Sequence, residues 1–169
     1  LVSNAFDAGA TNVHVILPPD RTTPEAAIVV IDDGEGMDAE GLRRHWFIGV
    51  SDKRDLPALP KNRKQIGRFG IGKLATYVLA RYLTHVCKRG SKYFATTMDY
   101  GRIPKGEGGG IHTEEKVELG LRELTEEQAK SALAPFLSGT KPGYKALKLF
   151  GPNAAPSWTV AIMSGLKPM

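Results

Sequence analysis

The apolar and polar positions divide the chain into short helix-like and strand-like segments. Residues 26–31 are almost wholly apolar, which is typical of a strand buried on both faces. Residues 72–87 carry apolar side chains at a helical spacing. The full pattern predicts the end of a helix at 1–10, strands at 12–17, 26–31, 92–98 and 158–163, and helices at 39–47, 72–87 and 126–136. This order predicts an α+β sandwich with helices packed on one face of a mixed sheet.

Polar residues mark the starts of two predicted helices and one long loop. Asp38 precedes the helix at 39–47 and is a predicted N-cap. Thr125 and Gln128 have the spacing of a capping box. Residues 51–66 are polar, basic and contain proline, which is typical of a mobile cover rather than a packed element.

Composition limits the class of protein. The 169 residues are 41% hydrophobic and 24% charged, which is ordinary for a globular domain. We expect no signal peptide, and the sequence has no stretch of roughly 20 apolar residues, so no membrane partner is expected. A single cysteine, Cys87, excludes an internal disulfide and favours a reducing, cytoplasmic setting. Because Leu1 falls within a helical pattern, we expect one domain, residues 1–169, truncated at its N-terminus and belonging to a longer protein.

The net charge of +5 has two interpretations. It could form a surface for nucleic acid, or it could be a solvated surface with a few cations gathered around phosphate. The basic residues are spread out, and their densest group lies just before Gly67. Nucleic acid as a direct partner is therefore open but not indicated.

Two acidic residues end the apolar strand at 26–31. A carboxylate held there can accept a hydrogen bond from an amino group and discriminates against ligands that leave it unpaired. Asp32 and Asp33 are also compatible with an ordinary Asp-Gly turn. A calcium loop is disfavoured because the alternating oxygen ligands needed around Gly34 are missing.

Residues 67–73 pack three glycines in front of a helical pattern. Backbone N–H groups and the helix dipole make such a turn suitable for phosphate. Gly67 and Gly72-Lys73 also match the start of a Walker A motif, but Leu74 occupies the position of its Mg²⁺-binding Ser or Thr and no strand precedes it. The dinucleotide fingerprint fails on its glycine spacing.

Asn4 and Asp7 share one face of the first helix and are a plausible pair of oxygen ligands for Mg²⁺. The alternative is an ordinary polar helix face. The four histidines are scattered and Cys87 fits a core position better than a nucleophile, so neither a zinc site nor a catalytic triad is predicted.

Together, Leu-Val-Ser-Asn-Ala-Phe-Asp-Ala at 1–8, Asp-Asp-Gly-Glu-Gly-Met at 32–37 and Gly-Arg-Phe-Gly-Ile-Gly at 67–72 resemble the three ATP-site boxes of the GHKL superfamily. This superfamily includes DNA gyrase, the heat-shock chaperone, sensor histidine kinases and mismatch-repair ATPases. The resemblance covers residues 1–87 well and implies a Bergerat-type α/β sandwich with a lid at about 40–66, binding ATP and Mg²⁺. The implied nucleotide-binding residues are Asn4 (the metal ligand), Asp7, Asp32, Gly34, Gly36, Met37, Ser51, Lys53, Gly67, Arg68, Phe69, Gly70, Ile71, Gly72, Lys73 and Thr159.

The resemblance also implies roles. Asp32 would accept from the adenine amino group, residues 67–72 would wrap the triphosphate, and Thr159 would hydrogen-bond near Asp32. Ser51 and Lys53 resemble lid-border residues of the chaperone-like and microrchidia-like branches. The water-activating glutamate of these enzymes would stand immediately ahead of Leu1, so this chain is expected to bind nucleotide and to hydrolyse it poorly.

Three functions are consistent with these residues. The favoured one is the ATP-binding module of a chaperone-like ATPase, which couples nucleotide binding and hydrolysis to conformational change or homodimerisation of a longer protein. A sensor histidine kinase catalytic domain is an alternative, disfavoured by the long lid and its Ser-Asp-Lys-Arg border at 51–54. A non-hydrolysing interaction module that retains the pocket is the third.

Overall fold

The computed structural model describes residues 1–46, 72–103, 119–137 and 148–168, with residues 72–74 described by backbone alone. The elements are α1 (Val2–Asp7), β1 (Val13–Ile16), β2 (Ala27–Asp32), α2 (Ala39–His45), α3 (Gly72–Leu79), β3 (Ala80–Arg89), β4 (Lys92–Asp99), a 3-10 helix (Tyr100–Arg102), β5 (Arg122–Leu124), α4 (Glu126–Leu137) and β6 (Ser157–Leu166). Among the described residues, no helix has the length and apolar character needed to cross a membrane.

One six-stranded sheet organises the fold, in the order β1-β2-β6-β3-β4-β5. Each neighbouring pair in it is antiparallel. The C-terminal strand β6 lies between β2 and β3, so residues distant in sequence meet at the centre of the sheet. One row of paired residues crosses it: Asp32 on β2, Thr159 on β6, Cys87 on β3 and Phe94 on β4. Because paired residues point to the same face, these four side chains lie on one face of the sheet.

The two faces have separate cores. The face of the Asp32 row, called here the site face, has two clusters. Tyr77 and Leu79 of α3 pack around Leu83, Met98 and Met163. Leu42 of α2 packs with Cys87 and Phe94. On the opposite face, α4 packs through Ala129 and Leu133. The predicted α/β sandwich is confirmed, with α4 covering the second face.

Both predicted helix starts are confirmed. Asp38 Oδ1 accepts a hydrogen bond from the Gly41 N–H at 2.8 Å. Thr125 and Gln128 form the reciprocal capping box, with bonds of 2.9 and 3.2 Å. Each of these side chains satisfies N–H groups that a helix start leaves without intrahelical partners.

The predicted helix at 72–87 is wrong beyond Leu79. The chain changes to strand at Ala80, and Cys87 lies in β3 rather than late in a helix. The apolar spacing cannot show that 80–89 pairs along its length with both β4 and β6. The strand β5, which pairs with β4 through three residues, was not predicted.

Candidate functional site

Asp32 is a buried carboxylate with one oxygen left open. It ends β2 and is 6% exposed. Its Oδ1 accepts a hydrogen bond from the Gly34 N–H at 2.9 Å, whereas Oδ2 has no protein partner among the described residues. Burial raises its pKa to about 6, against the lowering effect of the Gly34 bond and with a further increase from the charge of Asp33. The open oxygen can accept a hydrogen bond from a ligand.

Asp33 has a different role. Its Oδ1 accepts from the backbone N–H groups of Thr11 and Asn12 at 2.7 and 2.8 Å, and its Oδ2 accepts from Asn12 Nδ2 at 2.8 Å. Burial alone would raise its pKa, but the bonds from Asn12 and Thr11 outweigh burial and lower it. Asp33 therefore fixes the loop before β1 to the end of β2.

Two polar side chains continue from Asp32 along the site face. Thr159 pairs with Asp32 across β2 and β6, and Cys87 pairs with Thr159 across β6 and β3. The Cys87 Sγ lies 3.9 Å from Thr159 Oγ1 and donates to it. Burial raises the pKa of the Cys87 thiol to about 12, so the thiol is protonated and unreactive at neutral pH. The core assignment of Cys87 is confirmed, although its element was wrong.

Close packing leaves no room for a side chain at Gly34 or Gly36. A Cβ on Gly34 would lie 2.8 Å from Asp32 Oδ1 and 2.9 Å from the Ala8 carbonyl oxygen. Gly36 has a φ of +63°, and a Cβ there would collide with the Lys88 carbonyl oxygen. The turn is therefore pressed against Ala8, just after α1, on one side and against β3 on the other, and the predicted boxes at 1–8 and 32–37 lie together.

Met37 and Trp158 lie on different sides of the sheet. Met37 packs with Leu42, Cys87 and Phe94 on the site face. Trp158 belongs to the opposite core, where its Nε1 donates to the Leu149 carbonyl at 2.8 Å. Because neighbouring residues in a strand point to opposite faces, the bulk of Trp158 does not intrude beside Thr159.

The end of the first helix contacts the same turn. The Ala8 carbonyl, one residue beyond the last residue of α1, accepts a hydrogen bond from the Glu35 N–H at 3.0 Å.

Asn4 and Asp7 are the predicted metal-site residues of this helix. Asn4 is half-buried, and its side chain has no hydrogen-bond partner among the described residues; Asp7 is buried. No group of three or more His, Cys, Asp or Glu side chains suited to a metal occurs in the described ranges. Mg²⁺ that retains water and phosphate ligands needs only one or two protein oxygens, so the Asn4 amide fits such a site.

The glycine-rich segment lies mostly outside the described residues, as do Ser51, Lys53, Gly67, Arg68, Phe69, Gly70 and Ile71. Gly72 begins α3, and Lys73 is in its first turn. Helix α3 is fixed to the 3-10 helix that follows β4 by a 2.6 Å hydrogen bond between Thr76 Oγ1 and Tyr100 Oη. Of the predicted lid at 40–66, only residues 40–46 are described, and 40–45 of these belong to α2.

Three polar residues of this region were missed from the sequence. Cys87 was missed because its strand was predicted as a helix. Ser157 donates from Oγ to the Gly34 carbonyl at 2.7 Å, and Asn12 binds Asp33. The strand-like residues of 80–89 could have indicated Cys87, whereas no local pattern indicates the other two.

Comparison with known proteins identifies the family of this chain. The family model described as histidine kinase-, DNA gyrase B-, and HSP90-like ATPase matches residues 1–131. The chain therefore belongs to this ATPase family, the GHKL superfamily. A crystal structure of the ATPase and transducer domains of DNA topoisomerase II from Balamuthia mandrillaris is similar, with 14% identity and a TM-score of 0.48. The similarity covers 97% of this chain and 35% of that one, so the chain spans about a third of that protein's length. A search of curated protein sequences found no match.

Proposed function

We propose that this chain binds an adenine nucleotide, with Asp32 accepting a hydrogen bond from the 6-amino group of the base. The observation that carries the proposal is the buried carboxylate of Asp32, whose Oδ2 meets no hydrogen-bond donor within the described ranges. Burying a carboxylate is costly unless it is paired, so such a group in a family of ATPases is best explained by a ligand that completes its hydrogen bonds.

We propose that the site face beside Asp32 provides the remaining contacts with the base. Thr159 contributes a hydroxyl next to Asp32 in the sheet register. Met37 contributes apolar surface, and Gly36 holds the turn against β3 so that Met37 packs over Cys87. An apolar surface with a few directional polar groups is what recognition of a purine ring requires.

We propose that the metal binds beside α1 and that the phosphates bind at the start of α3. Asn4, supported by Asp7, would hold Mg²⁺, which neutralises phosphate charge when bound. Residues 67–72 would bind the phosphates with backbone N–H groups at the start of α3. Lys73, one residue into that helix, is assigned to the same region by the resemblance.

For the whole protein, we propose a chaperone-like ATPase in which nucleotide binding and lid closure drive a conformational change. Ser51 and Lys53, which resemble lid-border residues of the chaperone-like branch, support this choice over a histidine kinase. No residue of this chain is assigned as general base. Hydrolysis is therefore proposed only for a longer polypeptide that carries a glutamate ahead of Leu1.

Isothermal titration of the chain with ADP and ATP, with and without Mg²⁺, tests the proposal. GTP is the control for the base, and circular dichroism establishes that the protein is folded. We expect saturable binding of both adenine nucleotides, strengthened by Mg²⁺, and much weaker binding of GTP. Equal binding of ATP and GTP, or no binding by the folded chain, would refute it.

A further inference from the structure

The Cys87 thiol joins two parts of the site that are far apart in sequence. Its Sγ lies 3.9 Å from Thr159 Oγ1 on β6 and is also hydrogen-bonded by the Met37 backbone N–H in the turn after Asp32. Cys87 itself is 0% exposed on the central strand β3. A single side chain thus links the glycine turn to the threonine that faces Asp32.

The contact between Cys87 and Thr159 runs from the thiol to the hydroxyl oxygen. With a pKa of about 12, the thiol keeps its proton at neutral pH and is available as an S–H donor. It therefore donates to Thr159, whose oxygen acts as the acceptor. The hydroxyl hydrogen of Thr159 is then left to point away from Cys87. Asp32 on β2 is the cross-strand neighbour of Thr159 on the side away from Cys87.

We propose that Cys87 is a positioning residue for base recognition: its thiol orients the Thr159 hydroxyl toward Asp32 and the edge of the bound base. This inference rests on the proposed adenine site. Cys87 does not contact the ligand, and it reacts with nothing. It fixes the direction of a hydroxyl that would otherwise rotate freely, so it contributes to selectivity for the base rather than to general affinity.

Packing is the competing explanation, because Cys87 lies in a cluster with Leu42 and Phe94. If Cys87 were only a packing residue, replacing it would change the stability of the protein, or would change the affinities for all nucleotides equally. A positioning residue changes the ratio of affinities between bases that differ only at the edge facing Asp32. The 6-amino group provides this difference, since purine riboside diphosphate lacks it and is otherwise identical to ADP.

The test measures the affinities of ADP and purine riboside diphosphate by calorimetry in the wild type, Cys87→Val and Cys87→Ser. Val is apolar, somewhat larger than Cys and removes the donor, whereas Ser retains a donor and an acceptor. We expect Val to reduce the preference for ADP by about three- to tenfold, the range for one lost hydrogen bond, and Ser to retain most of it. An unchanged preference in a folded Cys87→Val protein would overturn the inference. Failure of the wild type to prefer ADP would instead refute the proposed adenine site.

Thr159→Val gives a second test that leaves the core thiol in place. It should reduce the preference for ADP at least as much as Cys87→Val, because the thiol acts through this hydroxyl. In the double variant, Cys87→Val should add nothing to the effect of Thr159→Val. Additive effects on the ADP preference, or no effect of Thr159→Val, would overturn the positioning role even if Cys87→Val does not fold.

Discussion

Asp32 and Asp33 are adjacent in sequence but have opposite electrostatic surroundings. The pKa of Asp32 is raised to about 6, chiefly by burial, whereas hydrogen bonds from Asn12 and Thr11 outweigh burial and lower that of Asp33. Asp33 accepts three protein hydrogen bonds, whereas Asp32 Oδ2 has no partner in the part of the chain that the structure describes. Asp33 therefore maintains the fold, whereas Asp32, which the resemblance assigns to the adenine base, is available to a ligand.

Replacing Asp32 with Asn should stabilise the unliganded protein at pH 7. The folded pKa of about 6 lies above the ordinary value of 3.8, so the protonated form is favoured by folding. This contribution is fully present below pH 3.8 and is lost as the pH rises through 6, which costs up to about 3 kcal/mol at neutral pH. We expect Asp32→Asn to gain about 1–3 kcal/mol at pH 7 and little at pH 4 in urea denaturation. Asp33→Asn, the matched control, should lose stability at pH 7; a destabilised Asp32→Asn would contradict the account.

Affinity for the base should depend on pH through Asp32. The ionised carboxylate is the acceptor for the amino group, so affinity should be constant above about pH 7. It should fall toward tenfold per unit below pH 6, where the carboxyl is protonated in the free protein. Adenosine is the suitable ligand, because it has no phosphate that titrates in this range. Calorimetry from pH 5 to 8 measures the effect, and a flat profile would argue against an Asp32 contact.

Gly36→Ala and Gly90→Ala form a matched pair. Both glycines have a φ of +63°, but a Cβ at position 90 meets no atom within 4 Å, whereas one at position 36 collides with the Lys88 carbonyl. Gly90→Ala should cost about 1–2 kcal/mol for the backbone conformation alone. Gly36→Ala should cost about 1–3 kcal/mol more because the turn must move away from β3. Equal losses in denaturation would show that the turn is not pressed against the strand.

Asn4→Ala should reduce the benefit of Mg²⁺ for nucleotide binding. If the Asn4 amide is a metal ligand, the ratio of ATP affinities with and without Mg²⁺ should fall several-fold, while affinity in the absence of metal changes little. Ser3→Ala, an exposed neighbour on α1, is the control and should retain the wild-type ratio. An unchanged ratio in Asn4→Ala would remove Asn4 from the metal site.

Local signals in the sequence were sufficient for much of the fold. Strand β2 and helices α2 and α4 were predicted to within one or two residues, because an apolar run and specific capping side chains define them locally. The helix predicted across 80–87 failed because β3 depends on pairing with β4 and β6. Such long-range pairing overrides a local helical spacing.

For the candidate site, too, local features could be predicted from the sequence and long-range relationships could not. Asp32 stood out because an acidic residue ends an apolar strand and because the resemblance assigns it to the base, whereas the hydrogen bonds of Asp33 to Thr11 and Asn12 are known only from the structure. The neighbour relationship of Asp32, Thr159 and Cys87 depends on β6 inserting between β2 and β3, and no local pattern contains this information. The assignments of Ser51, Lys53 and residues 67–71 stay predictions, since these residues lie outside the described ranges.

The most direct test of the account is the ADP affinity of Asp32→Asn compared with that of the wild type. Isothermal titration at pH 7.5 with Mg²⁺ should show a loss of about 10- to 150-fold, the range for a hydrogen bond to a charged group. Purine riboside diphosphate, which lacks the amino group, should bind both proteins about equally. Unchanged ADP affinity in the folded variant would contradict the central claim that Asp32 recognises the adenine base.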